Sequence, residues 1–321
     1  MRVTRPTDIS PLFVVLDPED TTADFTYAVA DTRLHATGPL RYLAHHRLDH
    51  PPVSIPGRPD GILATDQENQ VNATGWLAGL DRRVECRYSP TGARLVVPDL
   101  AGFDLHRHQG VIRSLPEFTP AGANPDLIEE VLLGPALLLQ LAWRSVFALH
   151  AGAVQMNGSV VAFCAESGVG KSTLARACAI QAVADDILPL RLDPQPAALP
   201  CFSQLKWPAS RQYALDAPVS LPLKAVCILD PVPDDVTVSN TVEVLPLASP
   251  ESALALVRHT VASRLFSPEL LLGHLHFCRD LAAAVPVHRL RYPKRMDILP
   301  HLLDAMRPLS SAGPSRASSP P

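Results

Sequence analysis

Ala165-Glu166-Ser167-Gly168-Val169-Gly170-Lys171-Ser172 leaves an apolar segment, Ser159–Cys164, and enters Thr173-Leu174-Ala175-Arg176-Ala177, which has the pattern of an amphipathic helix. An apolar strand, a glycine-bearing turn and a helix in that order fit the Walker A pattern, with Ala165 in place of its first glycine. Gly168 and Gly170 let the backbone turn so that successive N–H groups converge on phosphate oxygens, and the helix adds its positive end at the same point. Lys171 supplies a mobile positive charge for the β- and γ-phosphates, and the Ser172 hydroxyl is set to ligate Mg²⁺. The expectation is a nucleoside triphosphate, ATP with Mg²⁺, held along Glu166 to Thr173. An ordinary glycine-rich turn with an exposed lysine is the bland alternative, and the flanking strand and helix signals argue against it.

Working outward, Val146–Met156 and Ser159–Cys164 are β-prone runs joined by Asn157-Gly158, the strongest short hairpin signal. His150 falls inside the first run, in Leu149-His150-Ala151-Gly152-Ala153. A lone histidine in an apolar strand is usually a satisfied core residue. Small neighbours at Ala151 and Gly152 leave room for close approach and favour a functional role. Downstream, Ala182-Val183-Ala184 reads as a short strand with Asp185-Asp186 at its C-terminal end. Two carboxylates in that position suit phosphoryl transfer, one holding the metal and the other taking a proton. By itself an Asp-Asp pair at a strand end is more often a solvated turn; the phosphate loop upstream reverses that preference.

The rest of the chain separates by texture into three regions: residues 1–118, 119–306 and 307–321. The first shows short β-prone runs (Phe25–Ala30, Gly75–Leu80, Val84–Tyr88, Arg94–Val97), with a hairpin turn at Ser89-Pro90-Thr91-Gly92. The second opens, after a Pro- and Gly-rich linker, with a helix capped by Asn124 or Asp126 and running to about Arg144. Beyond the phosphate loop the expected order is a helix from Lys171 to about Ile180 and strands Ala182–Ala184 and Ala225–Leu229. Helices Ser252–Ser263 and Pro268–Ala284, strand Val287–Tyr292 and helix Asp297–Met306 follow, with Pro300 in the last helix's first turn. Strands alternating with helices indicate an α/β architecture preceded by a small β-rich domain. The Ser/Pro/Gly/Ala-rich stretch from Arg307 to Pro321 reads as a disordered tail.

Composition narrows the classes. Of 321 residues, 47% are hydrophobic and 19% charged, a globular balance. A formal charge of −4 offers no basic surplus for nucleic acid, and no Lys/Arg run marks a membrane surface. The apolar run Pro11–Leu16 is too short for a secretory core. Val131–Trp143, broken by Gly134 and Pro135, falls short of the ~20 residues that span a bilayer and reads as a buried helix. The six cysteines are scattered with no CxxC pair, as expected of reduced, mostly buried thiols in a cytoplasmic protein. Cys164, just before the loop, is the candidate exception. His45-His46 and His274-x-His276 lack further ligands at zinc-site spacing.

Taken together, His150, Ala165–Ser172 and Ala184-Asp185-Asp186 resemble the catalytic domain of HPr kinase/phosphorylase, a P-loop α/β fold related to ATP-dependent phosphoenolpyruvate carboxykinase. Phe202–Pro208, Leu223–Asp230 and Val285–Pro293 look like a divergent branch found in gene clusters for ribosomally made peptides, lasso peptides included, where some members phosphorylate a precursor serine. The resemblance implies that Lys171 binds phosphate and Ser172 binds Mg²⁺. It makes Asp185 the general base toward the substrate hydroxyl, Asp186 a metal holder, and His150 a neighbour that tunes Asp185; the two aspartates are interchangeable at this stage. Glu166 stands where the family has Asp, and Thr173 replaces a commonly acidic residue. The segment from Lys171 to Asp185 is short, and the family's Gly-Arg-Asn signature has no counterpart, with Arg291 and Arg295 left as candidates for a phosphate-stabilising arginine. These departures point away from HPr itself as substrate. The expected function is an ATP/Mg²⁺-dependent kinase acting on a serine of a peptide or protein. The alternatives are a nucleotide-binding assembly or regulatory protein without transfer and, behind it, a small-molecule kinase. No Asn-Lys-x-Asp motif supports a GTPase, and the sequence leaves the oligomeric state open.

Overall fold

The computed structural model describes residues 11–17, 19–56, 73–77, 82–166, 168–177, 182–200, 202, 220–232 and 241–311. Several expectations lie outside the described residues: Ser167, residues 78–80, the helix beyond Ala177, most of Phe202–Pro208, Cys178, Cys201 and the stretch 312–321. The chain falls into two compact units. One is drawn from Met1–Arg144, Cys201–Val219 and Ala262–Leu271; the other from Ser145–Pro200, Ser220–Val261 and Leu272–Pro321.

In the first unit the strands are β1 (Leu12–Val15), β2 (Thr22–Ala23), β3 (Phe25–Val29), β4 (Thr32–Ala36), β5 (Arg47–Leu48), β6 (Val53–Ser54), β7 (Ala73–Leu77), β8 (Arg82–Ser89), β9 (Gly92–Val97), β10 (Ala101–His106) and β11 (Val111–Ser114). Among the described residues, nine of them form one sheet in the order β5-β3-β4-β1-β11-β10-β9-β8-β7, and β2 pairs with β6. The β8–β9 hairpin closes with Ser89 opposite Gly92, where the turn was expected. Arg94 stands opposite Asp104 across β9 and β10. It grips that buried carboxylate with two nearly parallel bonds of 2.7 and 2.8 Å, the geometry in which an Arg–carboxylate pair is strongest.

The helical segment that follows is α1 (Pro125–Val131), a π-helical turn at Leu132–Ala136, and α2 (Leu137–Ala142). Of the two proposed caps Asn124 is the one used; its side chain accepts from the Asp126 N–H at 2.9 Å. Pro135 lacks the N–H that a regular helix needs, and the backbone departs from helical angles at Gly134. Residues 131–142 are buried, and no described helix is long and apolar enough to cross a membrane. Sequence texture assigned this helix to the second region, with a boundary at 118/119. Contacts draw the boundary after Arg144 instead. The reason is a tether: the buried Gln140 amide donates to the carbonyls of His106 and Val111, both at 3.1 Å, fastening α2 to β10 and β11.

The second unit holds β12 (Phe147–Met156), β13 (Ser159–Cys164), α3 (Lys171–Ala177), β14 (Ala182–Ala184), β15 (Ile187–Arg191), β16 (Ala197–Ala198), β17 (Leu221–Val232), β18 (Glu243–Pro246), α4 (Ser249–Arg258), α5 (Pro268–Ala284), β19 (Val287–Pro293) and α6 (Leu299–Met306), α5 beginning in the first unit's range. Asn157 and Gly158, at φ 51° and 73°, make the β12–β13 turn, the left-handed pair that matches strand twist. β17 runs parallel to β13 and β19, while β12, β14, β15, β16 and β18 join antiparallel. The architecture is mixed α/β. Val161, Phe163, Cys227, Leu229 and Leu290 of the sheet bury one face against Leu174 and Ala175 of α3 and Leu302 and Met306 of α6.

Among the described residues of the second unit, three strands, β15, β16 and β18, went unforeseen. Pro189 argues against a strand at Ile187–Arg191, and β16 and β18 are too short to show alternation. α4 was expected at Ser252–Ser263 but begins at Ser249 and ends at Arg258, because residues 259–261 leave to pair with β12. The tail, expected to be unstructured from Arg307, is ordered through Ser311: Pro308–Ser311 forms a tight helical turn. Ser159 Oγ donates to Ser310 O at 3.0 Å, and Asn157 Nδ2 donates to Ser310 Oγ at 3.0 Å, seating that turn on the hairpin.

Candidate functional site

The site lies within the second unit and is built on β12 and β13. β13 delivers the chain, buried to Ala165, into the loop. Gly168 and Gly170 take φ of 83° and 109°, and a Cβ built on either meets nothing within 4 Å. The turn therefore needs glycine for its backbone angles, and the loop presents open space there. Helix α3 starts at Lys171, with the Leu174 N–H returning to Gly170 O at 2.9 Å. Lys171 is buried, and its ammonium donates to Ala165 O at 2.6 Å and Glu166 O at 3.2 Å. The lysine thus spans the loop and braces its first two carbonyls. Ser172 is half-buried and Thr173 exposed.

Asp185 and Asp186 join β14 to β15. Both strands pair with β12, Ala184 standing opposite Ala153 and Ile187 opposite His150. That pairing pins the acidic pair beside the strand, and Ala151 N–H donates to Asp186 O at 3.1 Å. Asp185 is 1% exposed and Asp186 8%. A solvated turn is excluded by that burial, which is costly for carboxylates without partners. His150 Nε2 meets Asp186 Oδ1 at 3.0 Å. The resemblance set His150 beside Asp185; its Nε2 is within hydrogen-bond distance of the neighbouring Asp186.

Gly152 has a different purpose from the one expected. It stands opposite Phe163, and a Cβ there would sit 2.2 Å from the Phe163 ring. The room beside it is filled by core packing. Cys164 is likewise a core residue, its thiol pushed up to about 12 by burial, with Lys171 opposing. Cys86, Cys227 and Cys278 are also buried free thiols. Arg291 and Arg295 turn to carboxylates near the strand ends, Asp230 at 3.5 Å and Asp297 at 3.1 Å. His274 is fully buried against Thr260 Oγ1 at 2.8 Å. Among the described residues no group of three or more His, Cys, Asp or Glu is arranged to hold a metal.

The sequence reading missed His259. It follows the last turn of α4, and its carbonyl accepts the His150 N–H at 2.7 Å. Burial holds its imidazole below the ordinary histidine value, Lys171 and His150 push the same way, and Glu166 opposes. No local pattern marks it, since its neighbours belong to distant segments.

No family model matches this chain, and no curated protein matches it. Among solved structures it is similar to the Hpr(Ser) kinase/phosphatase from Coxiella burnetii, at 14% identity and a TM-score of 0.27, over 51% of this chain and 93% of that one. A likeness that low transfers no activity, so the functional reading rests on the chain's own residues.

Proposed function

We propose that this chain is an ATP- and Mg²⁺-dependent kinase that phosphorylates a serine hydroxyl on a peptide or protein. The observation that carries the proposal is the burial of Asp185 and Asp186 beside β12, the strand paired with the one that feeds the glycine loop. A loop alone serves any phosphate binder. Two sequestered carboxylates anchored to the same strand pair suit transfer chemistry, which needs one acid for the metal and one for a proton.

The residues present fit the groups this reading requires. Gly168 and Gly170 leave the loop's surface open to a polyphosphate, Lys171 supplies a cation at its base, and Ser172 and Asp186 would hold Mg²⁺. When bound, the ion offsets the charge that develops on the transferred phosphoryl group. Asp185 would accept the proton of the serine hydroxyl. His150 would hold Asp186 in its rotamer, and the loop amides and Lys171 would stabilise charge on the phosphoryl oxygens. Peptide recognition is the proposed task of the β-rich first unit.

The test is incubation of the purified chain with MgATP and a serine-containing precursor-type peptide, alongside Asp185→Asn. Mass spectrometry should report a gain of roughly 80 Da on the peptide, one phosphoryl group, absent in the variant. Tight ATP binding with no gain on any serine peptide would refute the kinase and leave the nucleotide-binding regulatory role. No ATP binding would refute the whole reading.

A further inference from the structure

The pairing edges of β12 show what lies beneath the phosphate loop. From Ala151 to Met156 one edge of β12 is paired with β13. At Cys164 the chain lifts away into the loop, while the opposite edge continues with β15 over Phe147–His150. The edge left vacant by β13 is taken up by residues 259–261. His150 N–H donates to His259 O at 2.7 Å, Val261 N–H donates to Ala148 O at 2.8 Å, and Leu149 forms an antiparallel bridge with Thr260. His259 therefore occupies the place β13 would have reached had it run straight on past Cys164, next to the root of the loop.

That place is held firmly. Thr260 Oγ1 donates to Leu256 O at 2.9 Å, which leaves its oxygen to accept from the buried His274 Nε2 at 2.8 Å. Cys278 Sγ lies 3.2 Å from the same nitrogen. Residue 259 is thus anchored through its backbone from β12 and α4, and Thr260 beside it from α5; any residue but proline would make the backbone bonds of residue 259. The imidazole is a separate matter. It is half-buried, and the charges acting on it come from Lys171 on α3, Glu166 in the loop, His150 on β12 and Arg258 on α4. Lys171 and Glu166 are the two residues that the loop's own lysine bond ties together. The bridge of Leu149 with Thr260 sets His259 directly opposite His150. Directly paired residues put their side chains on the same face of a sheet, here the face on which His150 meets Asp186. An imidazole there can donate an N–H to an anion with several acceptor oxygens.

We propose that His259 is a phosphate-binding residue of the loop site, its imidazole hydrogen-bonding the polyphosphate alongside Lys171. The inference rests on the nucleotide-binding reading above and adds to it a residue supplied by the end of α4. Its test is titration calorimetry of MgATP into the full-length wild type, His259→Ala and His259→Gln, with thermal melting of each unliganded protein. His259→Ala should weaken MgATP binding by about tenfold, the worth of one hydrogen bond to a charged group. Its unliganded melting should stay at the wild-type temperature. His259→Gln, which retains an N–H donor, should recover part of the loss. If His259→Ala fails to fold, His259→Gln decides: affinity below wild type but measurable supports the proposal, and loss of the fold in both overturns it in favour of a structural histidine. Wild-type affinity in folded His259→Ala overturns the proposal while leaving the nucleotide site standing. Failure of the wild type to bind MgATP overturns both.

Discussion

His150 Nε2 stands 3.0 Å from Asp186 Oδ1, so a histidine in the middle of an apolar strand is the fastening of a buried carboxylate. The main chain repeats the connection, because the residue after His150 donates its N–H to Asp186 O at 3.1 Å. Side chain and backbone together leave Asp186 little freedom, and a carboxylate fixed in advance loses less entropy when it takes up a metal.

That fastening is measurable. His150→Ala should lower MgATP-dependent phosphoryl transfer roughly 10- to 100-fold, the usual loss when the partner that orients a metal ligand is removed. His150→Gln should regain part of it through an amide donor. Initial rates of ADP release at saturating MgATP report the effect; an undiminished rate in the alanine variant would show that Asp186 needs no such partner.

Gly170→Ala should be more harmful than Gly158→Ala, although neither new Cβ meets any atom within 4 Å. The difference is torsional. Gly158 at φ 73° lies next to the left-handed well that alanine enters at a cost of about 1 kcal/mol, whereas Gly170 at φ 109° lies well outside it. A cost of roughly 1–3 kcal/mol is expected at Gly170, read as a fall in the urea midpoint with an unchanged slope. Equal midpoints for the two variants would mean that the loop relaxes freely.

Lys171→Met keeps most of the side-chain volume and removes the ammonium that Ala165 O and Glu166 O share. With no ligand present it should destabilise the chain by about 1–3 kcal/mol, the cost of leaving buried acceptors unsatisfied. The same variant should lose MgATP binding. A loss of binding with no loss of stability would limit the lysine to contacts with the ligand.

Glu129 provides a pH signature in the first unit. Burial raises its carboxyl above the ordinary 4.5, and the N–H groups of Tyr42 and Arg41 that it accepts only partly offset this. The folded state therefore holds this proton more tightly than the unfolded chain does. The stability contribution is complete below 4.5 and is lost as pH rises through the raised value. Glu129→Gln keeps an acceptor for the Tyr42 N–H, 2.7 Å away, without the ionisation. It should be more stable than wild type at neutral pH and lose less stability between pH 4.5 and neutrality. Glu130, also raised by burial, keeps some slope in the variant. Parallel curves for the two proteins across that range would contradict the assignment.

Much of this molecule is legible before any tertiary contact is known. The Asn157-Gly158 hairpin, the glycine turn into α3, the bounds of α5 at Pro268 and Ala284, and the Asn124 cap all appear where local chemistry puts them. Turn angles, caps and helical periodicity depend on residues a few positions apart, so they are written in the chain itself. The candidate loop and acidic pair belong to this class, as motifs with local spacing.

Register and burial do not. That β12 is lined by β13, by β14 and β15, and by residues 259–261 depends on pairings between segments far apart in the chain. Those pairings decided that His150 meets Asp186, that His259 lies at the root of the loop, and that Gly152 makes way for Phe163. They also placed the end of α4 at Arg258, seated Ser310 on the hairpin, and bound α2 to the first unit through Gln140. Each is a choice between partners that local pattern leaves equally acceptable, and only the joint burial of apolar faces and the satisfaction of backbone hydrogen bonds selects one.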